Sequence, residues 1–488
     1  MVQEGALAKI VGSENTDGGA TTLEAYSRDI SFTNPVRPAY VVHPGSAEEV
    51  MKLVQLANET RTPIVPISSG PPHFRGDTVP ATGGSIVVDL GRMNKVVFVD
   101  RARRVAMVEP GVTFGNLIPE VKKQGLRLNM PLMPRNSKSV VGSVLEREPV
   151  IMPKYQWDAS DPLACLGVYF GSGDEFRTGQ AAGPGTLEEQ WKIGGVQKAP
   201  YGPGTGSWHR LIQGAQGTMG IVTWMSLRCE ILPSLEESFV LALSELNPLL
   251  ELASWLVRLR MVNECFIMNN TNLAAAFARE WPGGYHDIKK SLPTWILFYT
   301  VAGYEYLPEE RVSSHIRDIT DATQKMGLKA ARRAGSVSAN EILKRVQMPS
   351  EEPYWKLRYK GACQDIMFLT PWDKLQDHVN IMNSGAEKSG YAASDLGVYI
   401  QPVVQGTSYH CEFSLFYDAE DKTEANRVKE LSAVATNSLL AANAFFSRPY
   451  GDEGAVIANR DAASVFILRK LKEIFDPNKI MNPGKICF

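Results

Sequence analysis

The chain has 488 residues, which is enough for two or three domains at roughly 100–200 residues each. Hydrophobic residues make up 44% and charged residues 21%, a balance typical of folded globular proteins that excludes an intrinsically disordered chain. The 51 Lys and Arg against 53 Asp and Glu leave a net charge of −2 without long blocks of one sign, so we expect no nucleic-acid partner.

The six cysteines and the apolar runs exclude further classes of protein. No CxxC pair occurs, which disfavours a zinc ribbon, an iron–sulfur cluster or a disulfide framework, and we expect no metal site. No run reaches the ~18 apolar residues of a membrane span, and the N-terminus lacks a basic start followed by an apolar core. These features predict a cytoplasmic protein without a membrane span.

The first informative stretch predicts a strand, a helix and a second strand between Tyr40 and Val65. Ser46 and Glu49 form a capping-box pattern before apolar residues at helical spacing. A loop rich in Gly and Pro follows, and after it come three β-rich runs and a helix, predicted at Ser85–Leu90, Val96–Val99, Val105–Val108 and Thr113–Lys123. This part of the chain therefore reads as an α+β domain.

The pattern changes beyond Pro233, where amphipathic helices alternate with longer strands. The clearest of these elements are the predicted helices Leu249–Leu259 and Ser313–Met326 and the predicted strands Thr294–Val301, Val398–Val404 and Cys411–Tyr417. We place a domain boundary near Ser234 and divide the chain into residues 1–233, 234–445 and 446–488.

Several strings in one order resemble a known family of flavoproteins. HPGSAEEVMKLVQLANETRTPIVP, SVVGSVLEREP, QGAQGTMGIVT and FDPNKIMNPGK are similar to the FAD-binding fold of vanillyl-alcohol oxidase, para-cresol methylhydroxylase (PCMH) and the FAD-linked D-lactate and glycolate dehydrogenases. The resemblance implies an α+β fold, with a PCMH-type FAD-binding domain of two α/β subdomains at 1–233. It further implies an α+β substrate-binding cap domain with an antiparallel sheet at 234–445, and a C-terminal segment, 446–488, that returns to the FAD domain.

The resemblance places the cradle for the FAD pyrophosphate at Ser68–Gly76. Small residues suit such a loop because the backbone must approach the phosphates closely, but Pro71 and Pro72 here replace glycines and donate no N–H. In one interpretation the loop still contacts FAD, through Ser68, Ser69, Gly70, His73, Phe74 and Gly76. In the other it is a rigid loop that no longer binds flavin tightly.

Three further groups of residues are implied to contact the cofactor. They lie beside the isoalloxazine ring (Arg135, Ser137, Lys138, Gly142 and Ser143), on the adenosine side (Gly217, Gly220 and Ile221) and in the terminal segment (Asn482 and Lys485). The glycines among them also suit ordinary turns.

The phenol-oxidising members of the family bind their substrate as a phenolate with two Tyr and one Arg. Carried over, these positions fall at Phe74, Tyr450 and Gly451, and Arg448 is the candidate to replace the missing arginine. Phe74 cannot hydrogen-bond an oxygen, and the usual acidic residue near flavin N5 falls at Pro134 or Arg135. The usual base is therefore missing.

A polar stripe on a predicted strand offers another proton acceptor. His410, Glu412 and Ser414 alternate and so share one face of the strand, where His410 and Glu412 become catalytic candidates if the face borders a flavin. The alternative is a solvent-facing edge strand. The position that tethers FAD covalently in some members falls at Ile366 in QDIMFLTPWD, so we predict non-covalent FAD.

The resemblance implies an FAD-dependent oxidoreductase that removes a hydride from a benzylic or aromatic alcohol, or from an alkylphenol-like substrate, to flavin N5. Two alternatives stay open: an FAD-linked 2-hydroxy-acid dehydrogenase, in which Arg448 clamps a carboxylate, and a weakly catalytic or non-catalytic subunit of a hetero-oligomer. No haem, iron–sulfur or NAD motif occurs, so electrons must pass to O₂ or to a separate carrier protein. By resemblance we expect a homo-oligomer.

Overall fold

The computed structural model describes residues 2–153, 162–178, 185–192 and 208–488. Its first sheet has four strands in the order β1-β2-β4-β3, in which β2, β3 and β4 are parallel and β1 is antiparallel. The strands and helices of this part are β1 (Thr16–Asp17), β2 (Tyr40–Val42), β3 (Ile64–Ile67), β4 (Ile86–Asp89), α1 (Glu4–Val11), α2 (Ala20–Ala25) and α3 (Ala47–Thr60).

Helix α3 begins where the sequence predicts it. The Ser46 Oγ accepts from the Glu49 N–H at 3.2 Å, and the Glu49 carboxylate accepts from the Gly45 N–H at 2.7 Å, one residue before a standard capping box. The apolar face of α3, with Leu53 and Val54, is fully buried against the sheet. This packing fixes the start of the loop that follows β3.

The second sheet is antiparallel and has six strands. Its order is β5-β6-β10-β8-β9, and β7 also pairs with β10. Its members, with the helices that accompany them, are β5 (Val96–Asp100), β6 (Val105–Val108), β7 (Leu126–Leu128), β8 (Leu163–Phe170), β9 (Glu175–Arg177), β10 (Gly220–Ile231), α4 (Phe114–Lys123), α5 (Val140–Leu145) and α6 (Leu187–Lys192). Phe114 and Leu117 of α4 pack into the same core as Val108 of β6.

The third sheet is also antiparallel and begins immediately after β10. Its six strands lie in the order β11-β13-β12-β17-β18-β16, and a separate two-stranded ribbon, β14-β15, accompanies them. The strands are β11 (Leu235–Leu243), β12 (Cys265–Asn269), β13 (Trp295–Gly303), β14 (Arg333–Ala334), β15 (Val337–Ser338), β16 (Ala362–Thr370), β17 (Leu396–Val403) and β18 (Ser408–Tyr417). The helices are α7 (Asn247–Arg258), α8 (Asn270–Phe277), α9 (Gly283–Ser291), α10 (Pro308–Lys325), α11 (Ala339–Val346), α12 (Leu375–Ser389) and α13 (Lys422–Ala441).

The two faces of the third sheet pack against different helices. One core contains Leu252 of α7, Val379 of α12 and Leu431 of α13, and the other contains Leu273 of α8 and Ile342 of α11. The expected fold class, α+β with an antiparallel cap sheet, is therefore confirmed. The strand His410 occupies, β18, lies between β17 and β16, so the interpretation of this segment as a solvent-facing edge strand is wrong.

The C-terminal segment consists of α14 (Gly451–Ala458), α15 (Ala462–Phe475) and an irregular end. The Ile64 N–H of β3 donates to Ile480 O at 2.7 Å, and the Asn482 N–H donates to Ile64 O at 2.8 Å. The end of the chain thus lies beside the first sheet. In the described part of the chain, no helix combines the length and apolar character needed to cross a membrane.

Candidate active site

A cavity of about 1420 Å³ lies between the first two sheets and the third. The implied cofactor residues that line it are Ser68, Ser69, His73, Phe74, Arg135, Lys138, Gly142, Gly217, Gly220 and Ile221. Three separate stretches of sequence that resemble the flavoprotein family therefore meet around one space.

The other six implied cofactor residues lie near this wall, and their direct contact with the cofactor stays a prediction. They are Gly70, Gly76, Ser137, Ser143, Asn482 and Lys485, none of which is among the residues lining the cavity. Lys485 Nζ donates to Gly76 O at 2.7 Å, and Asn482 Nδ2 donates to Asp77 O at 2.9 Å and to Gln216 O at 2.7 Å. The terminal segment therefore holds the loop carbonyls in place.

Two glycines at or near the wall pack closely against other parts of the chain. Gly217, which lines the cavity, has φ +71°, and a Cβ there would lie 2.5 Å from Pro66 Cγ. At Gly76, which has φ +74°, a Cβ would collide with the Thr33 hydroxyl. Both residues adopt the left-handed backbone conformation that glycine tolerates without strain. The absence of a Cβ at these two positions therefore lets the loops around the cavity pack against each other.

The loop after β3 retains a cradle shape despite its two prolines. Arg135 Nη1 donates to Gly70 O at 2.7 Å, and the Gly70 N–H donates to Ser137 O at 3.2 Å, so the loop is fixed to the segment before α5. Burial, assisted by the nearby Arg135 cation, lowers the pKa of His73 to about 4. His73 is therefore a neutral imidazole at physiological pH, able to hydrogen-bond a ligand.

A cluster of four charged side chains lies in the middle of the cavity wall. Arg75 pairs with Glu146 and, at 3.1 Å, with Glu148, and Lys138 Nζ lies 2.7 Å from Glu146 and 3.5 Å from Glu148. The nearby cations Lys138 and Arg75 lower the pKa of Glu148, although burial of the carboxyl group opposes this shift. Glu148 is therefore held ionised beside the two cations.

A second cavity, of about 940 Å³, adjoins the first. The two share Phe74, Arg75, Cys363, Asp365 and Tyr450, and we call these shared residues the junction. Apart from the junction, the second cavity is lined by apolar side chains, among them Phe32, Ile366, Met367, Phe446 and Ile457, and by polar or charged ones, among them Lys429, Arg448 and Glu453. A small molecule in the second cavity would therefore contact a ligand of the first at the junction.

Arg448 lines the second cavity and is 7% exposed. Its Nη1 is fully buried and makes no hydrogen bond, and no carboxylate among the described residues lies within 4 Å of the guanidinium. Burial and the neighbouring Arg75 cation lower the pKa of Arg448. A buried guanidinium without a paired anion is costly, and an anionic ligand would offset that cost.

The four catalytic candidates separate into two groups. Tyr450 lines both cavities and Arg448 lines the second, whereas His410 and Glu412 line neither. A direct catalytic role for His410 or Glu412 therefore stays a prediction. The strand alternation was correct, but the face that carries these two side chains is covered by Lys356, whose Nζ lies 2.5 Å from Glu412 Oε1.

The structure also places residues at the junction that sequence reasoning missed. Tyr354, Lys356, Cys363 and Asp365 line the first cavity, and Lys356 Nζ lies 2.6 Å from Asp365 Oδ2. The only sequence signal was the position of Asp365 directly before Ile366, in a strand already singled out. Ile366 packs into the apolar core and lines the second cavity, whereas its neighbour Asp365 lines both cavities.

Comparisons with known proteins agree with this geometry. Residues 38–148 match the FAD binding domain family, and residues 456–486 match the C-terminal domain of FAD linked oxidases. An uncharacterised FAD-linked oxidoreductase of Mycobacterium tuberculosis is 23% identical, over 98% of both chains. The flavoprotein subunit of 4-cresol dehydrogenase [hydroxylating] from Pseudomonas putida is 26% identical, over 59% of this chain and 56% of that protein.

The fold as a whole matches a solved flavoprotein structure. The 4-ethylphenol oxidase of Gulosibacter chungangensis superimposes with a TM-score of 0.82 at 19% identity, over 99% of this chain and 96% of that one. The protein is an FAD-linked oxidoreductase. Its fold is that of the PCMH-type flavoproteins, and FAD is its cofactor.

The residues of the first cavity fit FAD. The small residues Gly142 and Gly217, the neutral imidazole of His73 and the cation Arg135 line the same cavity and suit an anionic dinucleotide. When bound, FAD supplies the hydride acceptor of the reaction. The chain itself supplies the cradle, the aromatic and charged junction, and the route by which a substrate reaches it.

Proposed function

We propose that the protein oxidises a small aromatic substrate, at a benzylic C–H or C–OH, which carries a phenolate or carboxylate oxyanion. The observation that carries this proposal is Arg448, a buried guanidinium with an unpaired Nη1 at the wall of the second cavity. Charge-assisted hydrogen bonds of an arginine to an oxyanion are short and geometrically specific. Arg448 would therefore anchor the oxyanion and fix the direction in which the ring points.

The walls around Arg448 suit an aromatic ring. Phe74 and Tyr450 lie at the junction, and Phe32 and Phe446 line the second cavity. Burial, with the nearby Glu146 carboxylate, raises the pKa of Tyr450, so its phenol stays protonated and can donate to a substrate oxygen. Phe74 packs edge-on against Tyr354, with ring centroids 5.6 Å apart, and contributes shape only.

Similarity to known proteins supports the same substrate class. The names of 4-cresol dehydrogenase [hydroxylating] and of 4-ethylphenol oxidase both refer to para-alkylphenols. In this chain the oxyanion partner is Arg448 rather than an arginine beside Tyr450, so the anchor point differs from the family pattern. We therefore expect the accepted ring substituents to differ as well.

We also propose that FAD is bound non-covalently. By resemblance the tether is a His or a Tyr on β16, and the residues of this strand that line the second cavity are Cys363, Gln364, Asp365, Ile366 and Met367. Electrons would then pass to O₂ or to a carrier protein. A homo-oligomer and a cytoplasmic location remain predictions from sequence.

Anaerobic bleaching of the FAD-loaded protein tests the proposed function. We expect 4-hydroxybenzyl alcohol, 4-carboxybenzyl alcohol or 4-ethylphenol to bleach the flavin, and benzyl alcohol, which lacks an oxyanion, to require a much higher concentration. Bleaching by D-lactate but by none of the aromatic compounds would instead favour a 2-hydroxy-acid dehydrogenase. A yellow protein that no compound bleaches would favour the non-catalytic subunit.

Substitution of the anchor separates binding from chemistry. In Arg448→Met we expect the half-saturating concentration of the oxyanion substrates to rise about 10–100-fold, the effect of losing one charge-assisted hydrogen bond. The value for benzyl alcohol should stay unchanged, and Arg448→Lys should restore part of the affinity. Equal loss for charged and neutral substrates would contradict the role of Arg448 as an anion anchor.

A further inference from the structure

Four titratable side chains form one connected row at the end of the cavity. Lys356 Nζ lies between Asp365 Oδ2, at 2.6 Å, and Glu412 Oε1, at 2.5 Å, and Glu412 Oε2 lies 3.5 Å from His410 Nε2. The Asp365 side chain is 20% exposed and the His410 side chain 3%. The row therefore runs from the cavity wall into the interior of the third sheet.

The sheet register explains why these residues meet. Asp365 of β16 pairs with Ser414 of β18, and Glu412 lies two residues further along the same face. Lys356, from the turn before β16, crosses this face and lines the cavity beside Asp365. Asp365 is therefore the carboxylate of the row that touches a ligand, and Glu412 and His410 lie behind the lysine.

Several groups face the Asp365 carboxylate from the surrounding elements. Ser414 Oγ donates to Oδ1 at 3.0 Å and Cys363 Sγ lies 3.5 Å from it, while Lys356 donates to Oδ2. The charges of Glu412 and Arg75 also act on it. Burial raises the pKa of Asp365, although the Lys356 cation opposes the shift. Despite its own burial, Lys356 is held charged because Asp365 and Glu412 raise its pKa.

We propose that Asp365 is the proton acceptor of the oxidation and that Lys356 is the positioning residue that aims the Asp365 carboxylate and keeps it ionised. Asp365 thereby takes the place of the acidic residue that the sequence lacks at Pro134 and Arg135. Glu412 and His410 balance the buried lysine charge. The role of Asp365 as proton acceptor rests on the proposed function, because it assumes the proposed substrate class. The titration of the Asp365 carboxylate does not depend on the substrate.

For an alcohol substrate the step balances as follows. The C–H bond breaks and its hydrogen leaves with both electrons, as a hydride, to the bound FAD, which is reduced. The O–H bond breaks, its proton passes to Asp365, and its electron pair forms the second C–O bond of the carbonyl product. The proton leaves Asp365 for solvent when the product has departed, which restores the carboxylate.

Infrared titration of the protein without substrate tests the state of Asp365 alone. The infrared band of protonated carboxyl groups is recorded against pH for the wild type and for Asp365→Asn, and the second titration is subtracted from the first. The difference should show one carboxyl group whose pKa is higher than that of an ordinary aspartate. In Lys356→Met the same group should titrate at still higher pH, because the cation that favours the carboxylate is gone. An Asp365 band unchanged by Lys356→Met would contradict the positioning role.

The pH dependence of anaerobic bleaching tests the catalytic role. We expect Asp365→Asn to slow bleaching at least about 100-fold with little change in half-saturation, which is the usual effect of removing a general base. Wild-type bleaching should fall as pH drops through the pKa of Asp365, and Lys356→Met should move this fall to higher pH, while Lys356→Arg should leave it near the wild-type position. A wild-type rate and acid limb in Asp365→Asn would overturn the proposal.

Glu264→Gln supplies a matched control. Glu264 is also a buried carboxylate paired with a cation, Arg127, but it lies outside both cavities. This variant should lose stability yet keep the bleaching rate and its pH dependence, so an equal slowing in Glu264→Gln and Asp365→Asn would reduce Asp365 to a structural residue. If wild-type protein bleaches with no compound, the proposed function fails while the infrared titration still decides the state of Asp365.

Discussion

The chain builds the two ends of its cavity in different ways. The cofactor end comes from three short, nearly continuous stretches, within residues 66–78, 134–148 and 212–222. The junction end combines residues 354–356, 363–365 and 448–450 with Phe74, so segments far apart in sequence meet in one place. The cofactor end is therefore formed by residues close together in sequence within each loop, whereas the junction end depends on how the third sheet packs over these loops.

The two ends also differ in what stabilises them. The cofactor end depends on backbone that no Cβ obstructs, as at Gly217, and on hydrogen bonds between loops. The junction end depends on buried charges, with Arg75 and Lys356 each held between two carboxylates. Added side-chain volume should therefore disturb the cofactor end strongly, and a change of pH should disturb it little. At the junction end, a change of pH should have the stronger effect, because buried charges stabilise it.

Gly217→Ala tests the backbone at the cofactor end. Its Cβ would lie 2.5 Å from Pro66 Cγ in a left-handed backbone, so the wall must move. We expect FAD retention after desalting to fall at least about tenfold, the equivalent of 1.4 kcal/mol. Gly84→Ala is the control, because Gly84 also has a positive φ, +83°, but open space around its Cβ position. A normal FAD content in Gly217→Ala would refute the close approach.

Arg75→Met tests the buried charges at the middle of the cavity. It leaves Glu146 and Glu148 with Lys138 as their remaining cation in the cluster, and breaking a buried ion pair costs about 3–5 kcal/mol. Because these side chains are up to 20% exposed, we expect a loss of about 2–3 kcal/mol in the unfolding free energy of the apoprotein at pH 7. Urea unfolding measures this loss.

The pH dependence of the Arg75→Met effect has a defined sign. The pKa of Glu148 is lowered in the folded protein, so its pairing stabilises the protein above the pKa of the unfolded chain and this stabilisation is lost as pH falls. The difference between wild type and Arg75→Met should therefore shrink in acid. The unfolding free energy of Arg75→Lys should stay closer to that of the wild type, both at pH 7 and in acid. A difference that grows in acid would contradict the pairing.

Asp77→Asn should give the smallest effect, and it should be stabilising. Burial, with the Glu146 charge, raises the pKa of Asp77 from 3.8 to about 6, so the folded protein holds this proton more tightly than the unfolded chain. Wild-type stability therefore falls as pH rises from about 4 through 6, and the variant escapes this loss. Two pKa units correspond to about 3 kcal/mol, and partial exposure reduces our expectation to about 1–2 kcal/mol.

Thermal unfolding of the apoprotein at pH 7 and at pH 3.5 measures the Asp77 effect. The variant should exceed wild type at pH 7, and the two should converge at pH 3.5. Asp318→Asn, at an exposed position of α10, is the matched control and should change little at either pH. A destabilised Asp77→Asn at pH 7 would show that the carboxylate makes a favourable contact there.

The sequence predicted the cofactor end better than the junction for a physical reason. Helix α3 and its loop are specified by neighbours in the chain, such as Ser46 and Glu49, so their pattern is visible in one window. The face of β18 that carries His410 and Glu412 was also predictable from alternation. Whether that face meets solvent, a ligand or another side chain depends on strand order, which a single strand does not contain.

Lys356 illustrates what remained out of reach. Nothing near it in sequence marks a buried site, and it acquires its role because the turn before β16 crosses the polar face of β18. Asp365, next to the implied tether point at Ile366, was missed for the same reason, since neighbouring residues of a strand lie on opposite faces and only the packing of the sheet shows which face meets a cavity. Arg448 could be named as a candidate anion-binding residue because it lies two residues before Tyr450, which the resemblance to the family had singled out.

The most direct test of the account is an absorbance spectrum of the purified protein, with added FAD and after desalting, before and after acid precipitation. The account predicts flavin bands in the native protein that pass into the supernatant when the protein is precipitated. Bands that stay with the pellet would contradict non-covalent binding. A colourless protein after incubation with FAD would contradict the central claim, that the cavity between the sheets holds this cofactor.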